Sequence, residues 1–239
     1  MNKWQSSLFD ALHGLSTQAQ IVDRVAWATT ELGFDHFNCG VWAPLPLSNP
    51  KLHAVGNLPH NFQARYSQMR HASHDPLTVH ARSSNEPLVW RDAVFSDCPP
   101  LRADAQRHGI CHGWTQACVN AEGRRGLLTL SRHSPALGAE ELRLKASDML
   151  WLVQMTNLFV GPHAAKQQDG AHAPTSLTER ETEVLRWAGD GKTTGEISSI
   201  LAISDNTVNY YIKNAMAKLH AANKTAAVVI ALTQGLLTY

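Results

Sequence analysis

The stretch SDNTVNYYIKNAMAKL, residues Ser204 to Leu219, decides how the C-terminal part of this chain is read. Ser204 is a good helix N-cap, because its hydroxyl can accept an otherwise orphaned backbone N–H. Val208, Ile212, Ala215, Met216 and Leu219 then recur at helical spacing, which predicts a single buried stripe. The opposite face carries Asn206, Asn209, Tyr210 and Lys213, with Thr207 in the first turn and Lys218 in the last. Asn and Tyr are weak helix formers, so an exposed face built from them calls for a reason. A helix fits the major groove of DNA, where Asn can pair with adenine and Lys with guanine. Lys side chains and Thr or Tyr hydroxyls can also hold phosphates, and the helix N-terminus attracts one as well. Between Ser204 and Lys224, three lysines (Lys213, Lys218, Lys224) face a single acid, Asp205. The alternative is a solvated face on a helix that merely packs.

The surrounding residues favour a compact helical unit. Thr178 with Glu181, and Thr193 with Glu196, each have capping-box spacing. Val184, Leu185 and Ala188 share a face, and Gly189 and Gly191 end that helix. EISSILA is a short second helix, Ile203 and Ser204 turn the chain, and TAAVVIALTQGLL is a fourth helix. Short helix, tight turn and longer helix make a helix-turn-helix within an all-α four-helix domain.

The whole chain has 239 residues, enough for one or two domains, and a formal charge of only +1, so any basic surface is local. No apolar run reaches the length of a membrane span, and the N-terminus lacks the apolar core and cleavage site of a signal peptide. Cys39, Cys98, Cys111 and Cys118 form no CxxC pair, which fits a reducing cytoplasm. GPHAAKQQDGAHAPTS, from Gly161 to Ser176, is rich in small and polar residues without hydrophobic period. It predicts a domain at residues 1–162, a linker at 163–175 and a second domain at 176–239.

In the N-terminal domain, MNKWQSSLFDALHGL, IVDRVAWATTEL and NFQARYSQMR have helical spacing, and PLPLSNPK is a loop. HFNCGVWA, EPLVWRDA, HGWTQACV and GLLTLSR are strand candidates, the last two joined by a turn at NAEGRR. Gly138 to Phe159 is a long amphipathic helix and a candidate dimer contact, with intradomain packing as the alternative. The expected fold is α+β, an antiparallel sheet packed between helices as an α/β/α sandwich.

Specific strings in the C-terminal block, LT-x-RE-x-EVL-x-W, GKT-x-x-EI, IS-x-x-TV and NA-x-x-KL, resemble the DNA-binding domain of LuxR-type regulators. Tyr211 stands where many members have His. NLPHNFQARYSQMRHASHDP, EPLVW and RHGICHGWT resemble, in order, the autoinducer-binding domain of the quorum-sensing members. The resemblance implies a cytoplasmic regulator that is not an enzyme, has no cofactor and no membrane association, and acts as a homodimer. Its partners would be promoter DNA bearing a palindromic element, RNA polymerase, and a small-molecule signal, an N-acyl homoserine lactone.

The resemblance also implies site roles. Asp75, before Pro76, corresponds to the carboxylate that accepts the ligand amide N–H. Tyr66 corresponds to the phenol that donates to the acyl amide carbonyl, Trp90 to the wall beside the lactone, and Thr129 to a hydroxyl near the amide. Each has a plainer alternative: core aromatics for Tyr66 and Trp90, a turn residue for Asp75, an ordinary strand threonine for Thr129. Phe62 departs from the pattern, since lactone binders usually carry Trp there and Phe has no N–H to give the ring carbonyl. Either the lactone is recognised less stringently, or the ligand is a different small molecule; a regulator that needs no ligand is a further alternative.

The groups His71, His74, His80 and His108, Cys111, His112 lack a complete metal-ligand pattern, so no metal is expected. Cys111 and His112 are adjacent, and adjacent side chains rarely face each other as nucleophile and base.

Overall fold

The computed structural model describes residues 2–43, 45–48, 50–69, 74–120, 123–168 and 176–237, with residues 161–168 given by their backbone alone. The chain divides into two compact units, the first ending at Gln168.

The first unit opens with helices α1 (Lys3–His13) and α2 (Gln18–Glu31) and strands β1 (His36–Trp42) and β2 (Leu52–Gly56). Helices α3 (His60–Gln68) and α4 (Pro76–Ser83) follow, then strand β3 (Leu88–Val89) and helix α5 (Pro99–Arg107). Strands β4 (His112–Val119) and β5 (Arg125–Arg132) and helix α6 (Ala139–Gln168) complete it. The five strands run in the order β2-β1-β5-β4-β3, every neighbouring pair antiparallel. Side chains alternate between the faces of a strand. Phe37, Cys39 and Val41, Trp114 and Cys118, and Leu128 and Leu130 therefore meet residues of α1, α2 and α6 in one core. Asn38, Thr115, Leu127 and Thr129 occupy the alternate positions and point to the other face, where α4 packs on β4 and β5. With helices on both faces, β5 is buried from Gly126 to Arg132, and the expected α+β sandwich is the fold found.

Several elements differ from their sequence reading. β2 was read as no element; its residues are mostly half-buried and show no strict alternation. α4 and α5 were also missed, although each begins at a proline, a favoured first helical residue. The strand expected in EPLVWRDA is only Leu88–Val89 and passes into a 3-10 turn, Asp92–Phe95. α6 continues to Gln168, so residues 163–168 of the expected linker are helical. Their Ala, Lys and Gln are strong helix formers, a preference that composition as a linker obscured. Residues 169–175 of that linker lie outside the described residues.

One polar knot joins β5 to α6. Arg132 is 5% exposed. It donates to both carboxylate oxygens of Glu141, at 2.8 and 2.6 Å, and to the carbonyls of Gly33, Pro135 and Ala136. Lys145 adds a 2.7 Å bond to Glu141. The Arg132 guanidinium, against a smaller opposing effect of burial and with Lys145 assisting, holds the Glu141 carboxyl down to about 2.

The second unit contains α7 (Glu179–Gly189), α8 (Thr194–Leu201), α9 (Asp205–Lys218) and α10 (Lys224–Thr233). Both capping boxes form, and the Ser204 hydroxyl accepts the Thr207 N–H at 3.2 Å. Val208, Ile212, Ala215 and Leu219 of α9 are buried as the spacing predicted, and Met216 is half-buried. Between α8 and α9 the turn depends on Ala202 at φ 52, a left-handed conformation that glycine adopts more readily.

Because the Glu141 pKa is depressed on folding, its contribution is complete above about pH 4.5 and is lost as the pH falls toward about 2. Denaturant titrations across this range should show stability falling with acid, whereas Glu141→Gln should lose about 1–3 kcal/mol at neutral pH and respond less to acid.

Candidate functional site

Phe62, Tyr66, Asp75, Trp90 and Thr129 all line one cavity of about 160 Å³ in the first unit. It lies on the sheet face opposite the α1–α2–α6 core. α3 supplies Phe62 and Tyr66, one turn apart; the start of α4 supplies Asp75, the residue after β3 supplies Trp90, and β5 supplies Thr129.

Asp75 is the N-cap of α4 and is 6% exposed. Its Oδ1 accepts the Leu77 N–H at 2.9 Å, and its Oδ2 accepts the Tyr66 hydroxyl at 2.7 Å. Burial first, and then the neighbouring Asp75 carboxylate, push the Tyr66 phenol far above its ordinary range, so it stays a protonated donor. The cap thus brings the Asp75 carboxylate to the cavity. The resemblance implies that the Tyr66 hydroxyl donates to a ligand carbonyl; in this structure it donates to Asp75.

Trp90 is set by its backbone and its ring together. Its N–H donates to the Gly113 carbonyl at 2.8 Å, and its indole N–H to Thr115 Oγ1 at 3.0 Å. A Cβ on Gly113 would lie 2.6 Å from the indole, so only glycine admits the ring there. The Thr115 and Thr129 hydroxyls are 3.0 Å apart. Phe62 is 6% exposed and clusters with Leu101, Ala105 and Ile110, an apolar wall. Beside it, Gln63 donates to the Leu58 carbonyl and Ser67 to the Gln63 carbonyl. Sequence reasoning missed Asn38, Leu58 and Thr78, which also line the cavity. Asn38 was detectable, since Phe37, Cys39 and Val41 claim one face of β1 and leave Asn38 on the other.

In the second unit, Asn206, Asn209, Tyr210 and Lys213 are exposed along one side of α9, with Thr207 half-buried at its start. Tyr210 is 61% exposed. Thr194 of α8 donates to Asn209 at 3.4 Å, and Tyr210 stacks edgewise on Tyr211. Lys218 is engaged within the unit: its ammonium donates to Glu181 Oε2 at 2.7 Å. That same oxygen accepts the Thr178 N–H of the capping box at 2.7 Å. Burial would raise the Glu181 pKa, but Lys218 and Thr178 outweigh it and hold it below the usual carboxylate range.

Among the described residues no three His, Cys, Asp or Glu side chains gather as a metal site requires; His71 lies outside those residues. Cys111 meets His133, at 3.5 Å, rather than His112, and Asp35 beside them accepts the His133 backbone N–H. No described helix is long and apolar enough to cross a membrane.

Residues 17–160 match the family model for the autoinducer binding domain, and residues 175–231 match that for bacterial regulatory proteins of the luxR family. The transcriptional activator protein AnoR of Acinetobacter nosocomialis is 32% identical over 99% of this chain and 100% of its own length. The transcriptional activator protein SolR of Ralstonia solanacearum is 35% identical over 95% of this chain and 98% of its own. A solved structure, SdiA of Escherichia coli in complex with octanoyl-rac-glycerol, shares 29% identity at a TM-score of 0.80, covering 99% of this chain and 96% of that one.

Because Asp75 is both cap and cavity group, Asp75→Ala should cost about 1–2 kcal/mol in urea titrations of the full chain. Asp75→Asn, an equally good cap, should retain most of that stability.

Proposed function

This chain belongs to the LuxR family of quorum-sensing transcriptional regulators, with an autoinducer-binding domain ahead of a DNA-binding helix-turn-helix, and on that premise we propose that its signal is an N-acyl homoserine lactone held by Asp75. The observation that carries this reading is the convergence of Asp75, Tyr66 and Trp90 on one largely apolar cavity. A buried amide N–H left without an acceptor costs about 1–3 kcal/mol, and a carboxylate acceptor makes a bond about twice as strong as a neutral one. Each carboxylate oxygen offers more than one lone pair. Asp75 can therefore accept a ligand N–H while it keeps its bonds to Leu77 and Tyr66. The apolar walls take the acyl tail, and the ligand stabilises the folded regulator by mass action.

A second reading is favoured by Phe62. With no N–H at that position, a lactone carbonyl against the apolar wall loses a partner, roughly tenfold or more in affinity. A ligand whose headgroup donates a hydroxyl to Asp75 and has no ring carbonyl avoids that loss. The octanoyl glycerol bound to the related SdiA is of this chemical kind.

For DNA, Asn206, Thr207, Asn209, Tyr210 and Lys213 are the residues proposed to meet the major groove and its phosphates, while Lys218 holds α9 to α7. Dimerisation is proposed through α6, where Leu144 and Leu158 are 69% and 57% exposed. Half-buried Trp151 and Met155 continue the same stripe. An isologous contact would pair two recognition helices on a palindromic promoter element. The names of AnoR and SolR as activators support RNA polymerase as a further partner, and action in the cytoplasm follows from that role.

Thermal unfolding against acyl homoserine lactones of varied tail length, with acyl glycerols alongside, tests the ligand. A melting-temperature rise with a lactone, abolished in Asp75→Asn, is expected; a rise with glycerol esters alone selects the second reading, and no rise in any series removes both. On operator DNA, Lys213→Ala should lower affinity and reduce the salt slope by about 1. In sedimentation, Leu158→Arg should shift the protein toward monomer and weaken operator binding with it; unchanged sedimentation would rule out the α6 contact.

A further inference from the structure

The cavity face of the sheet carries a row of polar side chains that the anchoring of a signal at Asp75 does not use. Thr115 on β4 is paired in register with Thr129 on β5, and Thr129 with Asn38 on β1. The two threonine hydroxyls are linked to each other, and Thr115 also accepts the Trp90 indole N–H. Asn38 is different: its half-buried carboxamide lines the cavity and has no hydrogen-bond partner among the described residues. A carboxamide carries two donors and an acceptor, and a molecule that covers it must match them or strip their water without return.

The strand order fixes where Asn38 lies along a bound molecule. α4, which presents Asp75, packs over β4 and β5. β1 is the next strand out, and Leu52 and Ala54 on β2 line the cavity beyond it. Strands are spaced about 4.8 Å apart. A ligand anchored at Asp75 and directed toward β2 therefore passes Thr129 first and Asn38 about one strand spacing later. That portion is the acyl chain, not the headgroup.

We propose that Asn38 is a specificity-determining residue which hydrogen-bonds an oxygen substituent, oxo or hydroxyl, carried on the acyl chain of the signal. The inference rests on the reading of the cavity as an acyl-signal site and adds the class of chain that it prefers. An oxygen-bearing chain satisfies the Asn38 carboxamide, whereas a plain hydrocarbon chain leaves it desolvated and unpaired.

The test is calorimetric titration of the full-length protein with pairs of acyl homoserine lactones and acyl glycerols. Each pair is matched in length and differs only in an oxo or hydroxyl group on the chain. Wild type should prefer the substituted member by about tenfold, and Asn38→Leu should erase that preference, mainly by binding the plain chain better. Asn38→Ala, which adds no bulk, serves as the second variant, with melting temperatures to show that both are folded. Equal affinity for the two members in wild type, or an equal loss for both in the variants, would overturn the role of Asn38 while leaving the acyl-signal site intact. Failure of wild type to bind any of these compounds would remove the acyl-signal reading itself and this inference with it.

Discussion

A buried carboxylate is tolerated only when its oxygens are hydrogen-bonded, and the first unit is arranged around one such group. Asp75 satisfies the start of α4 with one oxygen and is held by Tyr66 with the other. The cap fixes where α4 begins, and the phenol ties that point to α3. The two helices that cover the cavity are thereby joined at a carboxylate that lines it. The rules that start a helix thus also place a charged acceptor at the cavity wall.

The cavity exists because the sheet has two covered faces with different contents. The face toward α1, α2 and α6 is filled by large apolar side chains such as Phe37, Leu128 and Leu130. The other face carries Asn38, Thr115 and Thr129 at the alternating positions, beneath helices that do not close down on it completely. Gly113 lets Trp90 lie against the sheet as a wall. Phe62, packed with Leu101, Ala105 and Ile110, leaves the α3 wall apolar and without an N–H donor.

In the second unit a comparable economy links cap to recognition helix. Glu181 closes the capping box of α7 and accepts the Lys218 ammonium at the far end of α9. The lysine nearest the end of the recognition helix thus serves its orientation, and the outward face is left to Asn206, Asn209, Tyr210 and Lys213. A nearly neutral chain can carry a DNA-reading surface because charge is sorted by helix face rather than summed over the molecule.

The helical unit was legible in the sequence because its determinants are local. Capping boxes act over three residues, helical spacing over one or two turns, and the LuxR-type strings fall within that range. His112–Val119 and Arg125–Arg132 were readable as strands for the same reason. The pairing of Tyr66 with Asp75 was not, nor was the commitment of Lys218 to Glu181, although each residue had been singled out. β2 escaped because an edge strand with one strand neighbour needs little hydrophobic pattern of its own. The face of β1 that carries Asn38 was readable from the alternation of Phe37, Cys39 and Val41, but its place beside Thr129, distant in sequence, was set only by strand order. Sequence by itself determined the helices of the second unit, most elements of the first and the chemistry that Tyr66, Asp75 and Trp90 carry. Tertiary structure alone decided which of those groups satisfy one another and which are left to meet a ligand, since hydrogen-bond partnership is a property of distance in space.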